Sequence, residues 1–202
     1  MVFAWTQIFA DYQNVSYRSA SILKANVDAV VSPANSFGFM DGGIDLAYRS
    51  FFGLRIQRRV QQVIRDRYGE ELPVGRAFVV PTGHDRITRM VIAPTMRTPQ
   101  NIQGTDNVYL ATRAALLAAS EAAPAIERLG IPGMGTGIGG MDPFESAQQM
   151  LRAAVEVLNL PKRPDEDQPR NGGSGFRAML PTGSRATIAM PATIRTTAQS
   201  AW

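Results

Sequence analysis

The chain has 202 residues, room for one domain of ordinary size, and its lack of cysteine excludes a disulfide framework, a thiolate metal site and a cysteine nucleophile. The formal charge of +4 sits late: residues 1–160 carry 15 Lys+Arg against 14 Asp+Glu, and residues 161–202 carry 6 against 3. A nearly neutral body lacks the clustered basic face that a phosphate backbone requires, so nucleic acid is not the expected partner.

With one histidine, His84, and no clustered carboxylates, no metal is expected, nor is a cofactor. No run approaches the ~20 apolar residues of a membrane span, and no signal-peptide pattern opens the chain. A cytoplasmic protein without membrane contact is expected.

Apolar runs alternate with helical patterns up to about residue 160, the signature of strands between layers of helices. Val27-Asp28-Ala29-Val30-Val31 ends at Ser32-Pro33, Ala77 to Val80 at Pro81, and Met90 to Ala93 at Pro94. Each reads as a buried strand stopped by proline. Leu129-Gly130-Ile131 is a weaker fourth strand leading into a glycine loop. Ile56, Val60, Val63, Ile64 and Tyr68 share one helical face, with Gly69 as a stop. A second, alanine-rich helix covers roughly Val108 to Ala122. The last starts at Asp142 as N-cap, with Pro143 first in the helix and Glu145 placed for a capping box. Its apolar face is Ala147, Met150, Leu151, Ala154, Val155 and Leu158. The segment from Pro161 reads as a linker and disordered tail over residues 161–202, which leaves residues 1–160 as the domain.

Two glycine-bearing segments each follow a predicted strand and precede a predicted helix: Ser32 to Asp45, and Gly133 to Met141. Glycines there let backbone N–H groups approach an anion, and the helix that follows adds its positive end. Two such loops suit a pyrophosphate held from both sides. The second contains G-x-G-x-x-G from Gly135 to Gly140, but it falls late in the domain and lacks the acid about 20 residues on, at the end of a next strand. Neither loop ends in the Gly-Lys-Ser/Thr of a P-loop.

Val27-Asp28-Ala29-Val30-Val31-Ser32-Pro33-Ala34-Asn35-Ser36 resembles the macro-domain signature V-D-A-I-V-N-A-A-N-S, and Gly42-Gly43-Ile44-Asp45-Leu46-Ala47 resembles its G-G-V-D-x-A-I. The likeness continues through Val74-Gly75-Arg76-Ala77 and Val91-Ile92-Ala93-Pro94. It closes with Gly135-Thr136-Gly137-Ile138-Gly139-Gly140, similar to the phosphate loop S-T-G-V-F-G. The resemblance implies a three-layer α/β/α sandwich around a mixed sheet of about six strands. It also implies a module that binds ADP-ribose and hydrolyses an ADP-ribosyl bond, on ADP-ribosylated protein or an acylated ADP-ribose. A non-catalytic reader, or a pocket adapted to another nucleotide, are the alternatives. By the same resemblance Asp45 and Asn35 are the catalytic residues, Asn35 bonding the distal ribose and Asp45 acting near its anomeric carbon. Ser21, Ile22, Ala34, Gly42, Gly43, Ile44 and the run Gly135, Thr136, Gly137, Ile138, Gly139 and Gly140 line the ligand.

Two departures weaken the carry-over of ligand contacts. Ser21 stands where the family carries an aspartate for the adenine amine, and Gly139 where it carries an aromatic for the distal ribose. Either Phe37 or Phe39 replaces that aromatic from the other loop or the ribose is held more loosely, and Phe37, Phe39 and Met40 are each open to a core or a lid role. Asp28 reads as a structural pairing group, His84 as a solvated hairpin residue, and the arginines between Ile56 and Tyr68 as a solvated face.

Overall fold

The computed structural model describes residues 1–13 and 15–161. Residues 162–202, most of the segment read as a tail, lie outside the described residues. The elements in chain order are α1 (Val2–Ile8), a 3-10 turn (Ile22–Lys24), β1 (Ala29–Ser32), α2 (Gly43–Phe52), α3 (Arg55–Tyr68), β2 (Phe78–Pro81), β3 (Arg89–Ile92), α4 (Asn107–Ser120), β4 (Leu129–Gly130) and α5 (Pro143–Leu158).

The strands form one sheet in the order β2-β3-β1-β4, with β1 parallel to β3 and β4, and β2 antiparallel to β3. Alternation along the strands divides the core, since successive side chains point to opposite faces. Ala29, Val31, Val91 and Leu129 join one cluster with Trp5, Ala111, Ala115, Met150 and Ala154. Val30, Met90, Ile92, Phe78 and Val80 join another with Tyr48, Ile56, Val60 and Ile64. Helices α1, α4 and α5 therefore cover one face and α2 and α3 the other, the three layers the sequence implies. The sheet has four strands among the described residues where about six were expected. Val2–Ile8 is helical instead, with Ala4, Trp5 and Ile8 buried on one side, and the described residues from 9 to 20 hold turns and irregular chain.

Asp28 pairs structurally, as expected. Its carboxylate accepts from the backbone N–H of Glu127 and Arg128 and from the Arg128 guanidinium at 2.8 Å, which clamps the entry to β1 against the entry to β4. Partial burial pushes the Asp28 pKa up, but the Arg128 hydrogen bonds and charge outweigh it and hold the group below its ordinary value. At α5 the Asp142 side chain accepts from Phe144 N and Glu145 N at 2.8 and 3.1 Å, so the N-cap forms. The returning half of the capping box does not: Glu145 Oε1 instead accepts from Gln149 Nε2 at 3.4 Å.

The β2–β3 hairpin joins Pro81 to Arg89, at the end of the sheet opposite Ser32, which pairs with Ile92. His84 lies in that hairpin, half-buried rather than solvated, and tilts over the Phe51 ring at 4.8 Å between centroids. Its Nδ1 accepts from Arg86 N at 3.1 Å, which closes the turn.

Candidate functional site

Because β1 and β4 are parallel, the loops that leave Ser32 and Gly130 emerge at the same end of the sheet. This is the carboxyl end, where open α/β sheets hold ligands. The two loops meet there: a Cβ built on Gly42 would lie 3.7 Å from Ile138 Cδ1.

The first loop is folded tightly on α3. Gly38 has φ +70°, and a Cβ there would come within 2.8 Å of Val60 and 2.9 Å of Ile64, so a glycine is needed on both grounds. Met40 N donates to Gln57 Oε1 at 3.0 Å, and the Met40 side chain is fully buried, a core residue rather than a lid. Phe39 is 49% exposed, whereas Phe37 is half-buried under the Arg97 guanidinium, 5.1 Å from its ring centroid. Of the two, Phe39 is the aromatic left free to meet a ligand.

Asn35 closes its own loop. Its Oδ1 accepts from Phe37 N at 3.1 Å and from Phe39 N at 3.4 Å, and its Nδ2 donates to Phe39 O at 3.2 Å. An amide nitrogen has two hydrogens, so one Nδ2 donor remains.

Asp45 lies in the first turn of α2, with Gly42 as N-cap and Gly43 at φ +53°. The side chain is turned inward and the residue is only 8% exposed. Ser32 Oγ, at the end of β1, donates to Asp45 Oδ1. Burial pushes the Asp45 pKa up; the Ser32 hydrogen bond opposes this, the Asp41 charge adds to it, and the group comes to rest at about 7. A carboxyl group poised there can take or give a proton near neutral pH. On the next turn of α2 Tyr48 donates to Val31 O at 3.1 Å, and burial, with the Asp45 charge, raises its own pKa.

The second loop is compact. Gly140 N donates to Gly137 O and Met141 N to Gly135 O, both at 3.0 Å, and Ile102 N donates to Gly139 O at 2.8 Å. Gly135 has φ +71°, with Val108 and Ile102 side chains 2.7 and 2.9 Å from a built Cβ. At Gly139 a Cβ would meet Gly135 O at 2.5 Å and Ile102 Cγ1 at 2.9 Å. No aromatic fits there. Gly137 is exposed, and Ile138, 62% exposed, projects toward the first loop.

The structure thus brings Asp45, Gly42, Gly43, Ile44 and the Gly135–Gly140 run to one end of the sheet, with Ala34 and Asn35 at the entry to the first loop. Thr136 packs over its own loop, 3.2 Å from a Cβ built on Gly133. Ser21 is exposed on the 3-10 turn, but the Ile22 side chain is 2% exposed, packed against Gly130 in the core, which leaves only its backbone to line a ligand. Ser32 and Ile102 escaped the sequence reading. Ser32 stands in the signature itself, but its reach to Asp45 spans thirteen positions and closes only in the fold. Among the described residues no cluster of His, Cys, Asp and Glu could hold a metal ion. Nor is any helix there long and apolar enough to cross a membrane.

The family model for the macro domain matches residues 31–150. The chain belongs to the macro domain family. An uncharacterized protein of Aquifex aeolicus is 34% identical over 131 residues, 65% of this chain and 74% of that protein. A DNA ADP-ribosyl glycohydrolase of Mycobacterium tuberculosis is 28% identical over 185 residues, 86% of this chain and 48% of that protein, so this chain spans about half of its length. Among solved structures, the Oceanobacillus iheyensis macrodomain with ADP superposes with a TM-score of 0.66 at 16% identity, covering 90% of this chain and 84% of the other.

Proposed function

We propose that this macro domain binds ADP-ribose across its two glycine loops and hydrolyses an ADP-ribosyl bond with Asp45 as general base. The observation that carries the reading is a single carboxylate, buried in the first turn of α2 with a pKa of about 7, beside two converging glycine loops. Backbone N–H groups of Gly42, Gly43 and the Gly135–Gly139 run surround the diphosphate, and the positive end of α2 adds to their field. Phe39 takes the place of the aromatic that Gly139 has no room to carry.

In the reaction a water held by Asp45 gives its proton to the carboxylate as its oxygen bonds to the anomeric carbon of the distal ribose. The bond from that carbon to the acceptor oxygen breaks, and the proton held by Asp45 passes to the departing oxygen, which regenerates the carboxylate. For an acylated ADP-ribose the water oxygen bonds to the acyl carbon instead, the bond from that carbon to the ribose oxygen breaks, and the ribose oxygen takes the proton from Asp45. The Asp45 carboxylate also stabilises positive charge that develops at the anomeric carbon.

The engaged amide of Asn35 favours a second reading, a reader that holds ADP-ribose without cleaving it. One experiment separates the two: the purified protein is titrated with ADP-ribose and incubated with mono-ADP-ribosylated protein, acetylated ADP-ribose and ADP-ribosylated DNA. Release of ADP-ribose from at least one substrate, lost in Asp45→Ala while ADP-ribose still binds, is the expected result. Binding without release supports the reader, and failure of ADP-ribose to bind removes both.

A further inference from the structure

We propose that Ser32 is the positioning residue for Asp45: from the end of β1 its hydroxyl holds Oδ1 and keeps the carboxylate available as a base, with Oδ2 left for water or ligand. The inference rests on the reading of Asp45 as the general base and names the residue through which the fold controls it.

Ser32 is itself held rigidly. It is fully buried, pairs with Ile92 in the sheet, and its carbonyl accepts from Ala93 N at 3.0 Å. Its Oγ is the one side-chain or backbone donor to the Asp45 carboxylate among the described residues. The other groups nearby do not substitute for it. Tyr48, one turn along α2, commits its hydroxyl to Val31 O, and Asp41, in the loop before the helix, is a like charge that disfavours ionisation. No Lys, Arg or His forms an ion pair with Asp45 among the described residues. Against desolvation and Asp41, the opposing influence is the Ser32 hydrogen bond. The motif this chain resembles carries asparagine where Ser32 stands, so the hydroxyl is this chain's own solution at that position.

A buried carboxylate deprived of its donor holds its proton more tightly. Ser32→Ala is therefore expected to move the titration midpoint of Asp45 upward by about one pH unit or more, the size of a charge-assisted hydrogen bond. The midpoint is read by carbon-13 NMR of the Asp45 carboxyl in the ligand-free protein, which needs no turnover. In the hydrolysis assay the acidic limb of kcat/KM moves upward by the same interval. Ser32→Thr, which keeps the hydroxyl, restores both. Ser32→Cys, close in size to serine but a weaker donor, gives a smaller upward move and guards against a packing defect in the alanine variant. An Asp45 midpoint unchanged in both the alanine and the cysteine variants overturns the inference. Absence of hydrolysis in the wild type, with the NMR midpoint moving as described, instead overturns the catalytic reading and leaves the Ser32–Asp45 linkage standing.

Discussion

Asp45 costs the fold something, and the cost depends on pH. Its pKa rises from 3.8 to about 7 on folding, chiefly because burial disfavours the charge. Below the unfolded value both states are protonated and there is no penalty. Between the two values the unfolded chain releases its proton first and stability falls, and above the folded value the penalty is constant, on the order of a few kcal/mol. Asn is the same shape and can still accept from Ser32. Asp45→Asn is therefore expected to be more stable than the wild type at pH 8 by about 1–4 kcal/mol in urea denaturation, a gain that shrinks toward pH 4. An equal gain at both pH values would show that ionisation is not its source. Asp45 and the glycines beside it were legible as a candidate site because their types and order form a motif. The inward turn of Asp45, its Ser32 partner and the loop-closing amide of Asn35 were not, since each depends on atoms brought together by the fold.

Among the elements, the second glycine loop is the one whose sequence misleads when read as a string. Gly139 looks like the loss of a ribose-packing aromatic, yet its neighbours leave no space for any side chain: Gly135 O and Ile102 Cγ1 would lie 2.5 and 2.9 Å from a Cβ. The loop is tighter here, and Ile102, from the segment after β3, fills the place beneath it. Gly139→Ala must push the backbone of Gly135 aside, at a cost typical of overpacking, about 1–3 kcal/mol. The expected outcome is a lower melting temperature together with weaker ADP-ribose binding by calorimetry. Gly137→Ala, at an exposed position with nothing within 4 Å of a built Cβ, is the control and leaves stability within about 0.5 kcal/mol. Helices α3, α4 and α5 were readable from spacing and caps, as were the prolines that end three strands. Helix α1 was not read. Ala4, Trp5 and Ile8 fall on one face, but seven residues are too few for periodicity to stand out, and packing on α5 rather than local propensity secures it.

At the scale of the whole molecule, the site lies on the seam between two cores. Met40 anchors the first loop in the cluster under α2 and α3, whereas Met134 and Met141 anchor the second in the cluster under α1, α4 and α5. A ligand gripping both loops would therefore tie the two layers together at the carboxyl end of the sheet. ADP-ribose at one hundred times its Kd should add about 2.7 kcal/mol to the unfolding free energy. Trp5 tests whether that increment belongs to the loops or to the packing behind them. It is fully buried in the first cluster, but its Nε1 has no hydrogen-bond partner, so removing the ring also removes an unsatisfied donor. Trp5→Ala should thus fall at the low end of the usual range for a buried tryptophan, about 3 kcal/mol. The ADP-ribose increment, measured by denaturation with and without ligand, is expected to be the same in variant and wild type. Its collapse in Trp5→Ala would mean that α1, whose preceding residue Met1 packs 2.8 Å from a Cβ built on Gly133, shapes the second loop as well as covering the core.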